Sequence, residues 1–240
     1  MKNTLLLTAF TAISIFAAAQ GGKVIEDRNA QKRDIKAFHD IRISNGIDLY
    51  LSQSGDEAVA VSADNSSDRD RIRTEVENGV LKIYMNNDGL HWGIRGNRQL
   101  KAYVSCKTLD GLSASGGSDV FVEDILKSER LDLGLSGGSD LKGKMNIGNL
   151  SVDQTGGSDS YISGTASQLS VHATGGSDFH GYDLECGQCH IEATGGSDVH
   201  ITASKEISIN ATGGSDVTYK GAAVIKDQHS SGSSSISRKG

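Results

Sequence analysis

Leu169-Ser170-Val171-His172-Ala173-Thr174 runs into Gly175-Gly176-Ser177-Asp178, and the same Gly-Gly-Ser-Asp tetrapeptide begins at Gly116, Gly137, Gly156, Gly195 and Gly213. Successive starts lie 21, 19, 19, 20 and 18 residues apart, and a degenerate copy, Ser231-Gly232-Ser233-Ser234, begins 18 residues after Gly213. A period near twenty with one invariant turn per unit is the mark of a solenoid. The six residues ahead of each turn alternate. Leu169, Val171 and Ala173, or Ile207, Ile209 and Ala211, hold the odd positions, and Ser170, His172 and Thr174, or His190, Glu192 and Thr194, hold the even ones. A period of two is a strand with one buried face. A second short strand follows the turn, as in Val120-Phe121-Val122 and Val199-His200-Ile201.

One such strand cannot hide its apolar side alone. Stacked coils do so, each strand pairing with its copy about 4.8 Å away. Hairpins would need a turn roughly every 8–12 residues, so one turn per unit favours parallel stacking. The expected fold is therefore all-β: a parallel β-helix of roughly 19–20-residue coils with an irregular N-terminal β portion. About ten coils at about 4.8 Å each predict a rod near ~50 Å long. Absence of proline, 30 glycines and 5% aromatics fit a core of stacked aliphatic strands rather than of bulky side chains.

Residues 1–20 read as a secretory signal. Lys2 gives the positive start, Leu5 to Ala19 an uncharged run short for a membrane span, and Ala17-Ala18-Ala19 a small-residue cleavage site beside Gln20. No cysteine follows to carry a lipid, and no transmembrane segment is expected in the mature chain. Residues 21–36 are polar and expected to be loose. Residues 37–236 read as a single head domain, with 37–105 an irregular opening and 106–236 the repeats. In the opening, Asn45-Gly46 reads as a tight turn, 64–71 as a charged loop, Asn78-Gly79 as a hairpin, and 86–98 as a polar excursion carrying Trp92.

The pattern Phe38-x-x-Ile41, Ser44-Asn45-Gly46-Ile47-x-Leu49-x-Leu51, Asn78-Gly79-x-Leu81-x-Ile83 and Leu112-x-x-Ser115-Gly116-Gly117-Ser118-Asp119 resembles the head GIN domain family. That family is labelled as autotransporter adhesins and occurs in secreted proteins of Bacteroidetes. The resemblance covers roughly residues 36–235. It implies a right-handed parallel β-helix and an adhesin-like role without an established biochemical activity. With repeats running almost to Gly240, no attached translocating barrel is expected, a departure from the family label.

The motif places Asp119, Asp140, Asp159, Asp178, Asp198 and Asp216 in one column. Carboxylates about 5 Å apart repel by about 0.8 kcal/mol per neighbouring pair in a water-like dielectric, so something must offset the repulsion. The structural reading gives each Asp hydrogen bonds from turn N–H groups or the neighbouring Ser. The sharper reading places Ca²⁺ between coils, since that ion takes oxygen ligands. Otherwise no cofactor is expected. Catalytic carboxylates fit worst, because six equal copies lack the differently tuned pair that acid–base chemistry needs.

Cys186-Gly187-Gln188-Cys189-His190 spells a haem-attachment motif. Register argues against haem, because Cys189 occupies the inward position of Leu169 while His190 occupies the outward position of Ser170. A buried thiol or a Cys186–Cys189 disulfide remains, the latter only if the Cα atoms approach within about 7 Å. Zinc there lacks a second ligand pair. Cys106 is expected to be buried. His172, His180, His190 and His200 are expected to share one outer region. Thr155, Thr174, Thr194 and Thr212 form a single file, too narrow for an ice-binding array.

A net charge of −6, few aromatics and no basic stripe exclude nucleic acid as the partner. The expected function is a non-enzymatic exported protein, in the periplasm, on the outer-membrane surface or extracellular, binding glycan or protein ligands or its own copies as a homo-oligomer. The alternative is a carbohydrate-active β-helix enzyme of the lyase or hydrolase kind, with Asp68, Asp70, Arg71, His91, Trp92 and Arg95 as its conceivable site.

Overall fold

The computed structural model describes residues 27–86 and 99–240, and it is a β-solenoid of about 7 turns with coils of about 19 residues. The signal segment 1–20 and the Trp92 excursion lie outside the described residues.

The described chain starts with a short strand, β1 (Gln31–Arg33), and then lays down its first coil as β2 (Asp40–Ser44) and β3 (Ile47–Gln53). Asn45 and Gly46 join these two, both at φ 69°. The chain then leaves that coil. β4 (Ala58–Ala63), α1 (Ser66–Arg69) and β5 (Ile72–Glu77) lead through the Asn78-Gly79 hairpin to β6 (Val80–Met85) and on to β7 (Leu100–Cys106). β6 runs parallel to β2, with Leu81 beside Ile41, and β7 runs parallel to β3, with Leu100 beside Ile47. These two strands add a coil on the outer side of the first. β4 and β5 pair antiparallel with β7 and β6, and β1 pairs antiparallel with β4. Antiparallel strands thus close this end.

Two expectations for the opening change here. Of the segment 21–36 expected to be loose, the described part is tied down, by β1 and by the Tyr103 hydroxyl donating to Asp27 Oδ2 at 2.8 Å. The charged loop 64–71 contains a helical turn, because Asn65 Oδ1 caps it by accepting the Asp68 N–H at 2.8 Å.

The chain then crosses to the other side of the first coil. β8 (Gly111–Ser115) pairs parallel with β2, and β9 (Val120–Ser136) pairs with β3 and β8. From there β10 (Leu141–Gly156), β11 (Asp159–Gly175), β12 (Asp178–Gly195) and β13 (Asp198–Gly213) stack in order. β14 (Asp216–Lys220), β15 (Val224–Gly232) and β16 (Ser235–Arg238) finish the stack. In the last coil Gly232, not Ser231, lies beside Gly213, so the degenerate repeat begins one residue later than its sequence suggests. About seven turns at about 4.8 Å give a stack near ~34 Å, shorter than the ten-coil expectation. Residues 58–77, about one coil's length, account for part of the difference, because they carry antiparallel closing strands rather than a coil.

Each coil has three sides. In β12 buried and outward residues alternate except at Tyr182-Asp183 and Gly187-Gln188, where two successive residues face out and the chain bends. The Gly-Gly-Ser turn makes the third bend. Unequal repeat lengths are absorbed mainly between the first and second sides, where register shifts at Lys142/Lys144, Tyr161/Gly164 and Gly181/Glu185. Inside, like stacks on like: Leu131, Leu150, Leu169, Cys189 and Ile207 make one file, and Leu133, Val152, Val171, Ile191 and Ile209 the next. One file is interrupted. Gln154 is fully buried between Leu135 and Ala173. Its amide nitrogen donates to the carbonyls of Ser158 (2.9 Å) and Asp178 (3.2 Å), and its oxygen accepts from buried Ser160 Oγ at 2.9 Å. Phe179, stacked beside Ser160, fills the volume the small serine leaves.

The turns separate sharply by position. Gly195 has φ 83°, and a Cβ added there would lie 2.7 Å from the Gly175 carbonyl oxygen. At Gly196 the nearest atom, the same oxygen, would be 3.6 Å away, an ordinary contact. Gly195→Ala is therefore expected to cost more than ~2 kcal/mol and Gly196→Ala less than ~1 kcal/mol, read by urea unfolding of the two variants.

Candidate binding surface

The turn sets the outward surface, because it fixes which residues of successive coils lie side by side. Ser118, Ser139, Ser158, Ser177, Ser197 and Ser215 of the motif are all fully buried. In the later turns these hydroxyls donate to the carbonyl three residues back, for example Ser197 Oγ to Thr194 O at 3.0 Å and Ser215 Oγ to Thr212 O at 2.9 Å. In the earlier turns they accept instead: Ser139 Oγ takes the Ser118 N–H at 3.0 Å and Ser118 Oγ the Ile47 N–H at 3.1 Å. The change follows the backbone. Asn45-Gly46, Gly116-Gly117 and Gly137-Gly138 have positive φ at both residues, whereas from Gly156 onward only the first glycine does.

The next residue gives the aspartate column. Oδ1 of Asp119, Asp140, Asp159 and Asp178 each accepts the backbone N–H of the column's next aspartate, at 3.1, 3.2, 3.2 and 3.2 Å. Asp216 Oδ1 accepts from Ser235 Oγ at 2.6 Å. The partner is the next coil, not the residue's own turn as in an Asx-turn. Asp48 heads the column, its Oδ1 receiving the Asp119 N–H at 3.4 Å. Sequence reading missed Asp48 because Asn45-Gly46-Ile47-Asp48 is a disguised copy of the motif. Burial pushes the Asp159 carboxyl above the ordinary range, and the charges of Asp178 and Asp140 add to it against the hydrogen bond from Asp178. Burial likewise raises Asp48. Among the described residues, no group of three or more His, Cys, Asp or Glu is arranged to hold a metal ion.

Two residues after the aspartates from Asp48 to Asp198, on the same outward side, lies an aromatic and cationic file that ends at Thr218. Tyr103, Tyr50, Phe121, Lys142, Tyr161, His180 and His200 follow one another across adjacent strands. Tyr50 lies 5.3 Å from Tyr103 and 5.2 Å from Phe121, Tyr161 stacks on His180 at 4.4 Å, and His180 on His200 at 5.6 Å, by ring centroids. Lys142 Nζ sits 5.2 Å from the Tyr161 ring and Lys220 Nζ 4.2 Å from that of Tyr182. The rings cover each other's faces, so their edges and polar atoms are what solvent meets. Burial, then the neighbouring His180, holds the His200 imidazole below its usual value. Aligning the repeats two residues past each Asp would have exposed this file.

The third side carries two further outward files. Arg130, Asn149, Gln168, Gln188 and Glu206 form one, and Asp132, Ser151, Ser170, His190 and Ser208 the other. Together they line a shallow groove of about 510 Å³ that crosses the strands.

The histidines do not share one region, because the turn separates them. His172 and His190 lie on the third side, where Glu192 bridges them at 3.1 and 3.3 Å. His180 and His200 lie past the turn, in the aromatic file. Cys186 and Cys189 both face the core and are disulfide-bonded, with Cα atoms 6.5 Å apart. His190 is on the opposite surface, so haem ligation has no geometry here. Cys106 is free and buried, its thiol pushed up to about 11 by burial. Thr155, Thr174 and Thr194 form a single file, as expected. In the loop weighed as an enzyme site, Asp68 is buried at the closed end, beside Arg71 at 4.0 Å, and His91, Trp92 and Arg95 lie outside the described residues.

Residues 37–223 match the family described as "Putative auto-transporter adhesin, head GIN domain". The chain belongs to the head GIN domain family. Among solved structures, an adhesin so described from Bacteroides fragilis NCTC 9343 is similar at 21% identity and TM-score 0.80, covering 88% of this chain and 96% of that one. A Parabacteroides distasonis ATCC 8503 adhesin has 18% identity and TM-score 0.69 over 88% and 96%. A protein of the same organism described as lipid binding has 21% identity and TM-score 0.65 over 88% and 96%. Likeness at these identities concerns the fold. Comparison with curated proteins gives no match.

Two predictions follow from this geometry. A raised carboxyl pKa means that the folded state holds the proton more tightly than the unfolded chain. Asp159 therefore makes stability fall as pH rises from the ordinary 3.8 through its raised value. Asp159→Asn keeps an acceptor oxygen for the Asp178 N–H and removes the charge, so it should flatten that fall and stabilise the protein at neutral pH and low salt. Asp159→Ala removes the acceptor and should cost about 1 kcal/mol. Thermal melts from pH 3 to pH 7 check both. Second, thiol titration of the 27–240 region should find no reactive thiol in the native protein, one (Cys106) in denaturant, and three after reduction.

Proposed function

We infer that this head GIN domain protein is a non-enzymatic, exported adhesin-like binder. It acts in the periplasm, on the outer-membrane surface or outside the cell, and takes glycan or protein ligands, with self-association as a homo-oligomer a further use of the same flanks. The observation that carries this reading is the surface itself. Each coil presents the same outward positions again, so the solenoid offers files of repeated groups rather than one cleft with a differently tuned acid and base. Family membership supports an adhesin-like role. No described helix is long and apolar enough to cross a membrane.

The test is a binding screen of the mature chain against glycan arrays and envelope protein fractions, run beside turnover assays on neutral and acidic polysaccharides. Saturable binding without new reducing ends or unsaturated uronates is the expected result. Cleavage of any of these polymers would make the enzyme reading the correct one.

A further inference from the structure

The groove of the third side has a chemistry unlike the rest of the surface. Its middle rungs are mostly amides and hydroxyls: Asn149, Gln168 and Gln188 in one file, Ser151 and Ser170 with His190 in the other. The charges at its two ends are paired off. Arg130 meets Asp132 at 2.9 Å, and Lys226 meets Glu206 at 3.1 Å. The remaining titratable lining residue, His190, faces Glu192 at 3.3 Å, so each charged or titratable group lining the groove has an opposite neighbour rather than adding to a one-sign patch.

Its hydrogen-bonding capacity is largely unspent. Gln168 Nε2 reaches Gln188 Oε1 at 3.4 Å, and Gln188 Nε2 reaches Glu206 Oε2 at 3.3 Å, both long and solvent-facing. Among the described residues, the Asn149 amide and the Ser151, Ser170 and Ser208 hydroxyls have no hydrogen-bond partner in the protein. The turn serines, by contrast, are satisfied, for example Ser158 by the carbonyls of Leu135 and Thr155 at 3.2 and 3.1 Å.

Spacing selects the occupant. The rungs repeat every coil, about 4.8 Å, along a line of about 19 Å from Arg130 to Glu206. A peptide strand laid along this line would present like-facing side chains about every 6.8 Å, out of step with the rungs. A linked pyranose ring with its bridging oxygen is of about the same length as one coil rise, and it brings hydroxyls that both donate and accept. We propose that this groove is a binding site for an uncharged, extended polysaccharide, one sugar per coil, with Asn149, Gln168 and Gln188 as its principal contacts. The proposal rests on the adhesin-like reading and names the ligand class and the face that reading leaves open. Single hydrogen bonds exchanged against water contribute little, so affinity should grow with each rung occupied.

The experiment is calorimetric or NMR titration of the mature chain with uncharged β-1,4-glucan, β-1,4-mannan and α-1,4-glucan oligosaccharides of increasing length. Hyaluronan and polygalacturonate serve as charged counterparts. At least one neutral series should bind, tightening with length until about five sugars fill the rungs. Gln168→Ala combined with Gln188→Ala should weaken binding about tenfold or more, about 1.4 kcal/mol, with an unchanged melting curve. Glu185→Ala, on the second side of the coil, should leave binding as in the parent. Asn149→Ala is the second groove variant should the double variant melt early. The assignment is overturned by groove variants that bind like the parent, by charged polymers binding more tightly than neutral ones, or by no neutral oligosaccharide binding at all. Binding to envelope proteins that persists in that last case would preserve the adhesin-like reading while removing the groove.

Discussion

The rest of this structure depends on the close approach of one turn backbone to the next. Gly176 N donates to Gly156 O at 2.8 Å, Gly196 N to Gly175 O at 2.6 Å, Gly214 N to Gly195 O at 2.6 Å and Ser233 N to Gly213 O at 2.6 Å. Nothing with a Cβ pointing along the axis fits between backbones held so near. That is why glycine recurs at this position, and why the strands on both sides of the turn start in the same register in each coil. Files of identical residues are a consequence of this registration.

Registration forces unfavourable neighbours together as well as favourable ones. Seven aspartates, from Asp48 to Asp216, lie in one column, with repulsion of about 0.8 kcal/mol per adjacent pair in a water-like medium. A hydrogen bond to a charged group is worth about 1.5–3 kcal/mol, so the N–H that most members receive from the next coil outweighs the repulsion. The column is tolerated because the carboxylate serves as a rung of the ladder. The same economy explains Gln154 and Ser160. A lone glutamine in an apolar file would leave amide atoms unpaired in the core, and a lone serine would leave a gap. Placed across the turn from each other they satisfy one another at 2.9 Å, and Phe179 takes up the spare volume.

Much of the repeat region was legible because its signals are local: alternation, a glycine pair and a fixed period. Leu169 and Val171 are buried and Ser170 is not, as the period of two requires. The opening was less legible because its coils are not stacked in chain order. β2 and β3 sit between β6 with β7 on one side and β8 with β9 on the other, and no local signal says that a strand will be bypassed and returned to. Asp48 was hidden because Asn45 replaces the first glycine, using its own tolerance of φ 69°. The histidines were grouped wrongly because sequence spacing of about ten residues ignores that a turn lies between His172 and His180. The surface files were present in the sequence at fixed offsets from the motif, but polar variation from Arg130 through Asn149 to Glu206 concealed their common position.

Insertions into the repeat are not spread evenly over the sides of the coil. Extra residues are taken up past the turn, at Val122 to Asp124 in one coil and Tyr182 to Leu184 in another, where register breaks. The third side keeps register from Asn149 through Gln168 and Gln188 to Glu206 and breaks it in the last coil, at Ile207/Ser208, where Lys226 is the extra residue. Core packing alone would accept a bulge on any side, since a bulged residue turns outward and leaves the inward files intact. Insertions therefore gather past the turn and reach the third side only in the last coil, while the inward files run on through both.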